Sequence, residues 1–138
     1  MTSKEFLQRP MRLKSHIESL ELQKEQFEEL AYSIPGGNYD KPVIQKTRSN
    51  QAPFIKWIDK IMEVEKKIEE LNGEYETAKA EVMVAIEKLP NTDHQTVLIM
   101  RYLNEYSWTY ICEKLYVSLS TAKRWHWDAI NALEFDEK

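Results

Sequence analysis

Apolar residues recur at helical spacing along most of this chain, and the places where the recurrence stops divide it into segments. From about Thr2 or Ser3 to Ser33, an apolar seam runs through Leu13, Ile17, Leu20, Lys24, Phe27, Ala31 and Ile34 in alternating steps of four and three. It is a heptad seam with one charged interruption, at Lys24. Pro10 removes a backbone donor and disfavours helix in front of it, so an early break is expected there. A longer seam passes through Trp57, Ile61, Val64, Ile68, Leu71, Tyr75, Ala78, Val82, Ala85 and Leu89. A continuous helix from Phe54 to Leu89 is roughly 50 Å long. Asn72-Gly73 is its weak point, where a bend is cheapest. Between the two seams, Pro35 to Pro53 holds three of the five prolines and two of the three glycines, and reads as a long connector. The first helix, reversed by that connector, covers part of the long seam, and a second copy of the protein is expected to cover the remainder.

Pro90 ends the second helix, and Asn91-Thr92-Asp93 reads as a turn carrying a new N-cap. A helix over about Asp93 to Leu103 then places Val97, Leu98, Arg101 and Tyr102 for packing beneath the two helices C-terminal to it. Ser107 caps the first of these, with Trp108, Ile111, Cys112 and Leu115 on one face. A turn comes next at Tyr116 and Val117, and Ser118 caps a last helix with Ala122, Trp125, Ala129 and Leu133 inward. Two helices crossing steeply through a short turn need small residues where they meet, and Cys112 and Ala122 supply them. The expected fold is therefore all-α. A helical hairpin or coiled coil at 1–89, with a loop at about 35–53, precedes a three-helix domain at 90–138 that ends in a helix-turn-helix.

Composition narrows the class. The chain is 42% apolar and 30% charged, as a soluble, helix-rich protein should be. No apolar run reaches membrane-spanning length, and the stretch MTSKEFLQRPMRLKSHIESL lacks the apolar core of a signal peptide, so a cytoplasmic location without a membrane partner is expected. Cys112 is the single cysteine and excludes an internal disulfide. His16, His94 and His126 lie on separate segments without metal-ligand spacing, and His126 reads as a half-exposed surface residue. No Ser, His and acid form a nucleophile motif, and Gly36-Gly37 lacks the Lys and hydroxyl of a phosphate loop. No enzyme, metal or cofactor is expected.

The net charge of −4 runs against nucleic-acid binding, but its distribution does not. Between Lys88 and Trp127 the cations Lys88, Arg101, Lys114, Lys123 and Arg124 outnumber Asp93, Glu105 and Glu113. The acids gather in the long helix and in the tail Glu134, Asp136 and Glu137. The connector, with Lys41, Lys46 and Arg48 against Asp40, is also basic. The last helix presents Leu119, Ser120, Thr121, Lys123, Arg124 and Trp127 outward, and these are the candidate DNA-binding residues. Lys and Arg reach phosphates or guanine edges, and Ser and Thr donate to either. An ordinary helical hairpin and a helix-turn-helix used for protein contact remain the rival readings. So few cations per domain imply that two copies act together, as a homodimer on double-stranded DNA.

The stretch LPNTDHQTVLIMRYLNEYSW and the helix-turn-helix after it resemble the promoter-reading C-terminal region of bacterial sigma factors, region 4. The resemblance is carried by Leu89-Pro90, Arg101-Tyr102-Leu103, Ser107 and Val117-Ser118-Leu119-Ser120-Thr121-Ala122-Lys123. The usual turn glycine is replaced by Tyr116, so either the turn is reshaped or packing of the Tyr ring compensates. The whole chain resembles the RinA/ArpU-like transcriptional regulators of phages. The residues that carry this are Lys46-Thr47-Arg48-Ser49, Ile61-Met62-Glu63-Val64-Glu65, and Arg101-Tyr102-Leu103 with Ser107-Trp108 and Ile111. That resemblance implies an activator of late or packaging genes on a phage or prophage of a low-GC Gram-positive bacterium. The sigma-like match adds RNA polymerase as a candidate partner. The alternative is a small terminase subunit, a DNA-packaging protein that also joins a helix-turn-helix to oligomerising helices.

Overall fold

A computed structural model describes residues 1–33 and 44–135, with side chains from residue 53 in the second segment. Every element among the described residues is helical: α1 (Ser3–Tyr32), α2 (Ile44–Glu87), α3 (Thr92–Leu98), a π-helical turn (Ile99–Leu103), α4 (Trp108–Leu115) and α5 (Leu119–Ala132). The fold is all-α, as the periodicity requires. No described helix is long and apolar enough to cross a membrane.

Two expectations about breaks are corrected. Pro10 lies inside α1 without ending it. Its missing N–H leaves one helix carbonyl unanswered, but the ring is fully buried, as Phe6 and Leu7 one turn earlier are buried, and that burial offsets the loss. Likewise α2 begins at Ile44, well inside the stretch read as a connector. The reason is local: the helix breakers concentrate at Pro35, Gly36, Gly37 and Pro42, whereas 44–52 contains neither Gly nor Pro. Residues 34–43, and with them Asp40 and Lys41, lie outside the described residues, as do Asp136 and Glu137.

The chain forms two compact units, one from Met1–Lys14 with Gly73–Lys138 and one from Ser15–Asn72. The division falls between Lys14 and Ser15 within α1 and at Asn72-Gly73 within α2. A Cβ placed on Gly73 meets nothing within 4 Å, so packing does not demand glycine there. In the first unit, Val82, Ala85 and Ile86 from the end of α2 and Leu89 just after it share a core with Phe6 and Leu7 of α1, Leu98 and Tyr102, and Ala129, Ile130 and Leu133 of the C-terminal segment. Phe6 stacks on Phe135 at 4.4 Å between ring centres, which holds the start of the chain against its end. The shared core is what makes the last turns of α2 part of this unit.

The second unit is a pairing of the middle of α1 with the first half of α2. Ile17, Leu20 and Ala31 are buried opposite Ile61 and Val64, and Phe27 stacks on Trp57 at 5.7 Å. Lys24, the charged interruption of the first seam, reaches Glu65 at 3.5 Å, so the break in the apolar pattern is used by a cross-helix ion pair. Ile68 and Leu71 are half-buried, and Leu22, Ile55 and Met62 are exposed.

At Ile99–Leu103 the backbone widens to π-helical turns, with Asn104 N–H donating to Ile99 O at 3.0 Å, five residues back. This stretch carries Arg101 and Tyr102 toward α4 and α5.

Candidate nucleic-acid interface

Asn91 starts α3, its side-chain oxygen accepting from the N–H groups of Asp93 at 2.8 Å and His94 at 3.4 Å. The two caps expected in the helix-turn-helix also form. Ser107, in extended conformation, accepts from Tyr110 N–H at 3.2 Å and starts α4. Ser118 does the same for α5 through Thr121 N–H at 3.2 Å, and its hydroxyl donates to Thr121 Oγ1 at 3.0 Å. Between them Tyr116 adopts the left-handed conformation, φ 57° and ψ 45°, and its N–H donates to Cys112 O. The turn thus keeps the geometry of the glycine form. Packing does not compensate either, because Tyr116 is 94% exposed. Ile111 and Ala122 are fully buried where the helices meet, with Cys112 half-buried beside them.

Leu119, Ser120, Lys123, Arg124 and Trp127 fall together on the outer face of α5, all exposed. Leu119 and Trp127 are each 49% exposed, which is high for apolar side chains on a small domain. Thr121 departs from the set: it is half-buried and spends its backbone N–H and hydroxyl on the Ser118 cap. Among the described residues neither Lys123 nor Arg124 is in an ion pair.

His126 is a correction. It is 5% exposed rather than half-exposed, because it occupies the inner stripe of α5 between Ala122 and Ala129. Its Nε2 lies 2.6 Å from the Tyr102 hydroxyl, and its Nδ1 is buried with no partner among the described residues. The tautomer follows by counting unmet groups. If the phenol donates to Nε2, the ring proton sits on Nδ1 and one group is unmet; the reverse assignment strands both the phenol proton and the Nδ1 lone pair. Trp108 and Trp127 both meet the imidazole edge to face at 5.1 Å. Burial first, then the positive charges of Arg101, Lys4 and Lys123, bring the imidazole from its ordinary 6.5 down to about 4. Burial likewise raises the Tyr102 phenol.

Around this imidazole lies a cavity of about 240 Å³, lined by Lys4, Gln8, Arg101, Trp108, Lys123 and Trp127 among others. Lys4 Nζ stands 5.4 Å from the centre of the Trp127 ring and the Arg101 guanidinium 5.2 Å from that of Trp108. The α5 residues are legible from spacing alone. Lys4 is not, since nothing in a linear pattern brings a residue of the first helical turn to the last helix. For His126 a signal does exist, its place at i+4 from Ala122, but its polarity points the other way.

Among the described residues no three His, Cys, Asp or Glu side chains gather to hold a metal ion. A family model described as a protein of unknown function, DUF1492, matches residues 45–134, nearly all of α2 and everything from there to Glu134. The chain belongs to the DUF1492 family. No curated protein and no solved structure matches it. The DUF1492 match includes α4, α5, Arg101 and His126, whereas Lys4 and Gln8 on α1 lie outside it.

The turn and the imidazole each give an expected outcome. Tyr116→Gly should stabilise this DUF1492 protein by about 0.5 to 1 kcal/mol, because glycine takes the left-handed conformation without steric cost and no buried contact is lost. Urea denaturation measures it, and a destabilised variant would show that the exposed ring has a role the geometry does not reveal. His126 should remain neutral at pH 6 and titrate near 4 by NMR. Since its folded value lies below its unfolded one, the stability tied to the neutral ring is complete above about pH 6.5 and is lost as pH falls toward 4. A midpoint near 6.5 would contradict the burial of the ring.

Proposed function

We propose that this protein is a transcriptional regulator of a phage or prophage that reads double-stranded DNA with α5. The observation that carries the reading is the exposed face of Leu119, Ser120, Lys123 and Arg124, whose two cations are in no ion pair among the described residues, on a helix capped by Ser118 and packed against α4 where Ile111 and Ala122 are buried. In that arrangement the N-terminal half of α5 enters the major groove. Leu119, Ser120, Lys123 and Arg124 then lie nearest to base edges, with Thr121 and Trp127 nearer the flanking backbone. The planar fork of Arg124 suits the two acceptors of a guanine edge, and Lys123 acts as a flexible point charge toward phosphate. The resemblance to RinA/ArpU-like regulators supports activation of late or packaging genes, with RNA polymerase as a further partner.

Self-association belongs to the same reading. Two helices bury one stripe each, and in the Ser15–Asn72 unit Ile68 and Leu71 stay only half-covered while Leu22 and Met62 are exposed. A second copy covers them and doubles the number of cations on the DNA.

A duplex recovered by selection from a randomised pool, beside its scrambled counterpart, tests the DNA reading by fluorescence anisotropy at several salt concentrations. Arg124→Ala should cost about 1 to 3 kcal/mol on the selected duplex and far less on the scrambled one. Lys123→Ala should weaken both alike and reduce the salt slope by about one. Unchanged affinity for both variants on every duplex would reassign the helix-turn-helix to protein contact. For self-association, light scattering should give a dimer at tens of micromolar that Ile68→Asp or Leu71→Asp breaks. A monomeric wild type removes that part of the reading, and a ring-sized mass would move the function to DNA packaging.

A further inference from the structure

The exposed face of α5 continues through Lys123 and Trp127 into the cavity around His126, and the chemistry of that cavity is that of an anion site. Three cations reach it from three separate elements: Lys4 from α1, Arg101 from the π-helical turn and Lys123 from α5. None of the three is in an ion pair among the described residues. Like charges gathered without a carboxylate repel one another, and an anion placed among them turns that repulsion into attraction. Two of the heads are already oriented by aromatic rings, Lys4 against Trp127 and Arg101 against Trp108. The imidazole of His126, 5% exposed, lines the cavity, and its Nδ1 is buried without a partner among the described residues. The cavity's volume, about 240 Å³, is below the roughly 300 to 1,000 Å³ that accommodates whole small-molecule ligands. A tetrahedral oxyanion fits it.

We infer that this cavity takes one phosphate group of the DNA backbone, gripped by Lys4, Arg101 and Lys123, so that α1 completes the DNA-binding face. The inference rests on the DNA reading of α5. With the N-terminal half of α5 toward the groove, the cavity lies at the middle of α5 and at the N-terminus of α4, where a helix-turn-helix crosses the strand flanking its contacted bases. Arg101 supplies a planar fork and the two lysines supply mobile point charges, the usual division of labour around a phosphate.

Lys4 is the residue to change, because it is exposed and its removal leaves the core intact. The full-length protein is titrated with a short duplex and, separately, with inorganic phosphate, following affinity and the NMR signals of the Trp108 and Trp127 indoles and the His126 ring. Lys4→Ala should weaken duplex binding about three- to tenfold and lower the salt slope by about one, with Lys4→Arg close to wild type. Inorganic phosphate should move the three ring signals in the wild type and less in Lys4→Ala. Duplex binding that is indifferent to Lys4→Ala, with the ring signals unmoved, overturns the phosphate site and leaves the DNA reading standing. No duplex binding, with Lys4-dependent movement by inorganic phosphate, overturns the DNA backbone as the source and leaves a site for free phosphate or for the phosphate group of another molecule. Silence in both titrations overturns the site and the reading together.

Discussion

Helices of 7, 8 and 14 residues, α3, α4 and α5, cannot enclose a sizeable apolar core by themselves, and the rest of the structure depends on that shortage. The deficit is met by the ends of the two long helices. Val82, Ala85 and Ile86 from α2 and Phe6 and Leu7 from α1 fill the space behind Leu98, Ala129 and Ile130. The α4–α5 pair is therefore a surface feature of a larger core, and α5 can turn a whole face outward because its inner stripe is buried by elements far away in the chain. The ion pairs of the same unit, Arg9 with Glu81 at 3.3 Å and Lys14 with Glu105 at 2.9 Å, lie at the surface and add little to that apolar burial.

Local chemistry is readable residue by residue. Ser107 and Ser118 cap the helices they precede, Asn91 starts α3, and the long seam is buried at Ile61, Val64, Ala78, Val82, Ala85 and Leu89. Each of these depends on neighbours within one or two helical turns. Pro10 departs from expectation because its propensity is local while its compensation, burial in the core, is tertiary. The start of α2 departs because Gly and Pro counted over the whole stretch hide the breaker-free run from Ile44 to Ala52. His126 and Lys4 belong to the first of these cases: one takes its environment from Tyr102 and Trp108, the other from Trp127, across segments that no periodicity links.

Tyr116 and His126 are opposite cases of a residue at odds with its position. Tyr116 carries backbone strain with its ring in water, so its geometry comes wholly from the hydrogen bonds of Tyr116 and Val117 to Cys112 O. His126 has relaxed helical backbone and an unsatisfied side chain, one partner short in a buried, positively charged setting. Strain in the turn fixes how α5 leaves α4. The unmet imidazole lies where α5 meets the rest of the unit.

The π-helical turn at Ile99–Leu103 gives this surface an unusual sensitivity to length. A π-turn holds one residue more than an α-turn, so losing a single residue between Ile99 and Leu103 would restore regular α-helix instead of breaking it. The segment would remain helical and apolar and the residues beyond it would keep their phase, because the widened turn had absorbed the extra residue, but the bulge that carries Arg101 and Tyr102 would be gone. Arg101 and Tyr102 would leave Trp108 and His126 together. One-residue indels are commonly tolerated in loops and ruinous in helices; here such a change would preserve the helix and dismantle the surface it supports.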